Sequence, residues 1–400
     1  MKKLFILSWL FCSGALLWSQ KPVDYILKAR AFTESGKPEQ AISLLNEAVG
    51  QSRDYRLFTE RAEANILKGD YSAAIADYNE ANKIATGSGE YGLSRIYALK
   101  GDAATATYHL ELNLASSYKH SEKGIMLDPA FGTIDSRPEW RQLWKKNWYS
   151  ESEKGISEIE YYLSAGKNDQ AREVFSELKK GADSPEDIVY AQSLINLASG
   201  SYPEVITAVS GYLASDPGNE KYLRILAKAQ SGFNDPAGAS NTYTRLIDSG
   251  VADAGLYLQR AECYQKTGET EKALNDIDKY LEYYPENRNA LSLAGKIEIK
   301  SGDNLQAIKY FSENLKLHPN DPECYIDRAN SYFMSKSWGM AINDYSMSLD
   351  LKPGNSDVWL NKGISLLNSG KVEDACHDFR RAFSLGNKRV TDYISRNCIK

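Results

Sequence analysis

The sequence predicts an all-α chain of stacked helix pairs, on three observations. The first is a period of 34 residues running seven times in strict register, with units beginning at Ser152, Glu186, Glu220, Ala254, Arg288, Pro322 and Ser356. The second is a fixed order of side-chain sizes within the period. Position 20 holds Ala171, Val205, Ala239, Ala273, Ala307, Ala341 and Ala375; position 8 is small at Ala227, Ala261, Gly295, Ala329 and Gly363, with Ile159 and Ser193 departing. Position 24 is bulky throughout, as Phe175, Val209, Tyr243, Ile277, Phe311, Tyr345 and Phe379. Antiparallel helices approach closely only where facing side chains are small, so position 8 of the first helix should meet position 20 of the second. Position 24 should then fill the space toward the next unit. The third observation is punctuation: Gly166, Gly200, Gly268, Gly302 and Gly370 fall at position 15, where a left-handed cap ends the first helix. Pro217, Pro285, Pro319 and Pro353 mark the exit from the second.

From the N-terminus, Lys2 and Lys3 precede an apolar run from Leu4 to Trp18, closed by Ser19 and Gln20. This is the grammar of a signal peptide over residues 1–20, cut beside Ser19 or Gln20. The run falls short of the roughly 20 residues that span a bilayer as a helix. Retention as an anchor is the alternative, because Leu17 stands where a smaller residue is usual. Cys12 follows Phe11 and is followed by more apolar residues, unlike a lipid-bearing cysteine. The mature protein is therefore expected outside the cytoplasm, periplasmic or envelope-associated, with no integral membrane segment.

Residues 22–114 form an N-terminal block of about three looser units. One starts at Pro22 with Ala29, Gly36 and Ala41; the next starts at Tyr55 with Ala62, Gly69 and Ala74; a third keeps Tyr97, Gly101 and Ala106. Residues 115–151 break the period and read as a helical linker in which Trp140, Trp144 and Trp148 share one helix face. Either that face packs as core and joins the two blocks, or it is an exposed aromatic surface for a protein or glycan. The regular block runs over 152–387, and a capping helix over 388–400 covers its end, as a solenoid end requires. Cys376 and Cys398 either bridge, pinning that cap, or remain free thiols. Cys263 and Cys324 should lie too far apart to pair and read as small core residues.

The recurrence of these sizes, glycines and prolines in phase resembles the tetratricopeptide-repeat family over about 22–114 and 152–387. The stretch LDPAFGTIDSRPEW also resembles a linker of exported members from Bacteroidetes. The resemblance implies a right-handed alpha-alpha superhelix of about ten helix pairs, and a concave groove that binds proteins or peptides. Fold alone leaves function open.

No glycine-rich phosphate loop, H-E-x-x-H zinc pair or G-x-S-x-G elbow occurs, and His109, His120, His318 and His377 stand singly. Neither an enzyme, a cofactor nor a metal site is expected. Loss of Lys2 and Lys3 with the leader takes the formal net charge from −5 to −7, and no basic run exceeds a pair, which argues against nucleic acid.

In the family, positions 2, 5, 9 and 12 of the first helix face the groove. They supply Lys221, Arg224 and Lys228, then Asn289 and Lys296, then Asn330: a basic and amide-rich stretch suited to an acidic segment, or else an ordinary solvated face. Tyr190, Leu194 and Leu197, with Ile326 and Phe333, suggest apolar pockets beside it. Co-chaperone members clamp a terminal carboxylate with a lysine and an asparagine on one unit, an asparagine on the next, and a lysine and an arginine on the third. Here Arg224 and Lys228 match only the last pair, while Tyr190, Leu194, Ile156 and Glu160 occupy the other positions, so that clamp is not reproduced. The expected role is an exported scaffold for a protein or peptide in envelope assembly or secretion. A glycan-binding protein using the tryptophans, or a spacer without a selective groove, are the alternatives.

Overall fold

The computed structural model describes residues 21–181 and 184–398. The expected leader lies outside them, as do the last two residues of the expected cap. Among the described residues all regular structure is helical, and the chain divides into two compact units at Lys119 and His120.

The N-terminal unit holds three pairs: α1 (Pro22–Glu34) with α2 (Pro38–Gln51), α3 (Tyr55–Lys68) with α4 (Tyr71–Ile84), and α5 (Glu90–Leu99) with α6 (Ala103–Leu114). The C-terminal unit opens with two short helices, α7 (Glu122–Leu127) and α8 (Pro138–Leu143). Seven pairs follow: α9 (Glu151–Ser164) with α10 (Asn168–Gly181), α11 (Pro185–Ala198) with α12 (Tyr202–Leu213), and α13 (Glu220–Gly232) with α14 (Pro236–Asp248). Then come α15 (Gly255–Thr267) with α16 (Thr270–Leu281), α17 (Arg288–Ser301) with α18 (Asn304–Leu317), α19 (Pro322–Met334) with α20 (Trp338–Leu351), and α21 (Ser356–Asn368) with α22 (Val372–Ser384).

The repeat dictates where each helix starts and stops. Asn219, Asn287, Asp321 and Asn355, each one residue before its unit, accept a backbone N–H of the first turn. Asp235 and Asp303 do the same for the second helices, each cap contributing about 1 kcal/mol. Position 15 is left-handed in all seven units. Glycine accounts for five of them; Asn234 (φ 62°) and Lys336 (φ 58°) hold the other two without it. Asparagine tolerates that backbone, whereas lysine is strained there.

Successive helices pack against each other, and the first helices of neighbouring units also touch, as α9 with α11, α11 with α13, α17 with α19 and α19 with α21. Contacts between second helices are weaker. The first helices therefore form the tighter, inner layer of the stack.

Close approach within a pair depends on positions 8 and 24. A Cβ added at Gly295 would lie 2.4 Å from the Phe311 ring, and one at Gly363 would lie 2.6 Å from the Phe379 ring. These rings turn onto position 8 of their own unit. Position-24 side chains also reach the next unit, as expected: Tyr345 joins Val358 in one core cluster, Ile277 joins Ala290 and Ala294, and the Tyr78 ring leaves no room for a side chain at Gly92.

Charged staples reinforce the same contact. Arg260 at position 7 donates through Nε and Nη2 to both oxygens of Asp276 at position 23, at 2.7 and 2.6 Å, and its Nη1 reaches Thr244 of the preceding helix at 3.0 Å. Arg328 repeats this with Asp344 and Ser312, and Arg61 with Asp77 and Asn46. In the last unit Lys362 faces Asp378 at 3.3 Å. Each arginine thus ties three helices, with its charge matched bidentately as burial requires.

At the C-terminus, a 3-10 turn (Lys388–Val390) and the short α23 (Thr391–Asn397) replace the single expected helix over 388–400. Val390 falls one full period after Ser356, and Tyr393 stands at position 4, where Tyr257, Tyr325 and Trp359 stand in their units. The end is the beginning of a further first helix. Tyr393 stacks on Phe379 with centroids 5.0 Å apart, and a Cys376–Cys398 disulfide ties α23 to α22. Cys263 and Cys324 are buried free thiols, and burial pushes both above the ordinary thiol pKa.

Two substitutions should separate these effects in urea unfolding followed by circular dichroism. Gly295→Ala should destabilise by about 1–3 kcal/mol, the cost of forcing volume into a filled contact. Lys336→Gly should stabilise by about 1 kcal/mol, by relieving the left-handed lysine.

Candidate binding groove

The inner layer of the C-terminal unit carries a shallow depression of about 240 Å³ between α15 and α17. Leu258 and Leu293 supply apolar surface, and Glu262, Asn289, Ser292 and Lys296 supply polar walls. Except for Leu293, these are positions 5 and 9 of one unit and 2, 5 and 9 of the next. The surface that the repeat turns inward is therefore concave here, and amphipathic.

The expected basic stretch is largely neutralised from within. Arg224 is bound by Glu220 at 2.9 Å and Asp253 at 2.8 Å, so it is no free donor for an acidic partner. Lys296 faces Asp327 at 3.4 Å, and Asp327 also accepts from Ser292 at 2.6 Å. The Lys221 ammonium lies 3.3 Å from the Tyr190 ring centre, with Asp187, Glu186 and Glu160 acting on it. Lys228, exposed at position 9, has neither hydrogen bond nor ion pair among the described residues, and Glu262, at position 9 of the next unit, is alike. The matching acids come from three places: Glu220 one turn earlier on α13, Asp253 in the loop before α15, and Asp327 on α19; the last two are distant in sequence from the cations they meet.

The other expected groove residues serve mainly as its frame. Tyr190 is buried, and its hydroxyl donates to Glu160 at 3.1 Å. Burial and the Glu160 charge push its pKa well above the usual phenol value, so the proton stays in that bond. Leu194 and Leu197 are half-buried against the core that includes Tyr190. Asn289 accepts from Arg288 at 3.1 Å, and Asn330 accepts from the Tyr345 hydroxyl at 2.7 Å, leaving the amide N–H groups of both for other acceptors. Ile326 and Phe333 are half-buried, with Phe333 edge-on to Trp338 at 5.3 Å. In the N-terminal unit the corresponding face is closed by its own charges, Arg30 pairing with Glu60, and Arg95 with Glu63 at 2.7 Å.

Leu258, Glu262 and Ser292 were not among the expected residues, although they hold inward positions 5 and 9. Their places in the period were signal enough. Asp327 sits at position 6 and emerges only through its contacts across units.

The tryptophans do not form a helical platform. Helix α8 ends at Leu143, so Trp144 caps it and Trp148 lies beyond it. Trp140 is 7% exposed and packs on Phe131 at 5.2 Å and Trp144 at 5.7 Å. The half-buried Trp148 donates to the Leu143 carbonyl at 2.9 Å. Pro138 at the start of α8 and Leu143 buried at its end limit this element to six residues, too short to align rings spaced four apart over eight.

Among the described residues no group of three or more His, Cys, Asp and Glu side chains is placed to hold a metal ion, and no helix is long and apolar enough to cross a membrane.

The tetratricopeptide-repeat family profile matches residues 26–88 and 258–322. A TPR repeat-containing protein of Methanocaldococcus jannaschii is 22% identical, over 90% of this chain and 63% of its own length. The Hsp70-Hsp90 organizing protein 1 of Glycine max is 31% identical, over 21% of this chain and 15% of its own. The human SGT1 homolog is 26% identical, over 36% and 39% respectively. The chain thus spans less than two thirds of the length of these relatives. Among solved structures, a tetratricopeptide repeat protein from Parabacteroides merdae is 21% identical, over 61% of this chain and 97% of that one, with a TM-score of 0.46.

Tyr190→Phe should cost about 1 kcal/mol in urea unfolding, the value of one net hydrogen bond. Lys228→Ala should stay within about 0.5 kcal/mol of the parent, because nothing in the fold depends on that side chain.

Proposed function

Because the chain is a tetratricopeptide-repeat protein, we propose that it is a non-catalytic scaffold whose C-terminal groove holds a segment of another protein. The carrying observation is the contrast along the inner layer. Arg224 and Lys296 are matched by acids of the fold, whereas Glu262 in the Leu258 depression and Lys228, at the same inward position of the preceding unit, are left uncommitted. An amphipathic segment with an acid near Lys228, a base near Glu262 and an apolar side chain over Leu258 suits that arrangement. The amide N–H groups of Asn289 and Asn330 suit the carbonyls of an extended backbone.

We place this scaffold outside the cytoplasm, in envelope assembly or secretion. The support is the signal-peptide grammar of residues 1–20, together with a disulfide of the kind that persists in oxidising compartments. The burial of Trp140 and the end of α8 at Leu143 favour the scaffold over the alternative of a glycan-binding tryptophan surface.

A photo-reactive residue placed at Lys228 in the producing cells tests the proposal. One discrete protein adduct should form, co-fractionate with the envelope, and disappear when Leu258 is changed to Asp. Diffuse labelling, or an adduct indifferent to Leu258→Asp, would overturn the groove reading; an adduct confined to the cytoplasm would overturn export.

A further inference from the structure

The first unit of the regular block lacks something that the later units have. In the unit from Ala254, Tyr257 at position 4 lies 6.4 Å from Tyr283 at position 30, and the Arg260 guanidinium at position 7 lies 5.9 Å from the Tyr257 ring. In the last unit Trp359 and Leu385 hold positions 4 and 30, with the Lys362 ammonium 4.8 Å from the indole. Position 4 carries Val189, Leu223, Leu291 and Tyr325 in the rest. In the unit from Ser152, positions 4 and 30 are both glycine, Gly155 and Gly181, and position 7 is Glu158.

A hollow of about 230 Å³ lies between α9 and α10; it is open above Gly181, where an added Cβ would meet nothing within 4 Å, while Leu178 leans onto Gly155, 3.1 Å from where a Cβ would stand. Val174 and Leu178 form apolar walls, the two glycines flank it, and Glu158 and Glu177 stand at its rim. Its other charges are committed: Lys154 pairs with Glu151 at 2.8 Å, and Glu177 pairs with Lys180 at 2.7 Å. Glu158 shares a hydrogen bond with Tyr162 and pairs with no cation among the described residues. Where the units from Ala254 and Ser356 seat a cation over an aromatic ring, this one offers an acid and no ring.

We propose that this hollow is a docking socket for an aromatic side chain of a partner protein, followed one helical turn later by a lysine or arginine. The partner's ring packs beside Val174 on the open ground above Gly181, the position-30 place that Tyr283 and Leu385 fill in their units. Its cation meets Glu158, and the close approach of a partner helix is allowed by the missing side chains at positions 4 and 30. An acidic or wholly aliphatic segment would leave Glu158 repelled or unmatched. The socket is built from positions 4, 7, 23, 27 and 30, none of which is an inward position, so it does not rest on the groove reading.

The probe is an alanine-based helical peptide of about 15 residues carrying Trp and Lys three residues apart, titrated into the full chain by calorimetry. Saturable binding is expected. It should weaken about tenfold or more when the peptide Trp becomes Ala or the Lys becomes Glu, consistent with loss of an anchor residue. Gly181→Leu installs the residue found at position 30 of three later units, and nothing lies within 4 Å of the added Cβ, so the variant should fold while closing the socket. It should abolish binding, and Glu158→Lys should weaken it by a similar factor, with circular dichroism unchanged in both. Lys228→Glu in the groove should have no effect, which keeps this test distinct from that of the groove. Absence of saturable binding to the parent, or equal binding by Gly181→Leu and Glu158→Lys, would sink the proposal.

Discussion

The closure of a bulky position-24 side chain onto a position 8 too crowded for further atoms governs the rest of the architecture. At Gly295 and Gly363 even a methyl group would overlap the Phe311 and Phe379 rings. That contact sets how closely the two helices of a pair approach. The same spacing recurs because the same sizes recur, so identical pairs stack with a constant rotation and the first helices form the inner layer. A groove, and the inward direction of positions 2, 5, 9 and 12, are consequences of that stacking.

Charge follows packing. Once two helices are held at that distance, position 7 and position 23 face each other across their interface, and a guanidinium there can satisfy a carboxylate with two hydrogen bonds while its third nitrogen reaches back one helix. Three arginines do this and Lys362 makes a single contact instead, which fits the difference between a planar fork and a point charge. The same economy runs along the groove, where Arg224 and Lys296 are matched by Asp253, Glu220 and Asp327. On the proposed function, selectivity rests on the few groups the fold leaves unmatched, Lys228 and Glu262 among them, and on places where the repeat omits a side chain. Gly155 and Gly181 are such omissions.

Much of this was legible in the sequence, for a physical reason. Helix starts, left-handed stops and the small and large positions of each pair are local or periodic properties, and a strict period of 34 repeats each of them until it stands out. The left-handed turns at Asn234 and Lys336 were the exceptions, because the tight turn between the two helices of a pair requires that backbone there although no glycine marks it. The Arg and Asp partners sixteen residues apart were visible in principle, as a basic position 7 and an acidic position 23 in four units. Their meaning required knowing that those positions face each other.

The sequence by itself thus determined the all-α repeat, the pairing of helices and the positions that face inward, because each depends on size and backbone preference at fixed spacing. The tertiary structure alone decided which charges remain free, where the tryptophans go and which omitted side chains leave a hollow. Those depend on atoms distant in sequence meeting in space. Asp253 neutralises Arg224 from the far end of the same unit, and α8 ends too early to align its rings. The hollow beside Val174 lies open above Gly181, where an added Cβ would meet nothing within 4 Å.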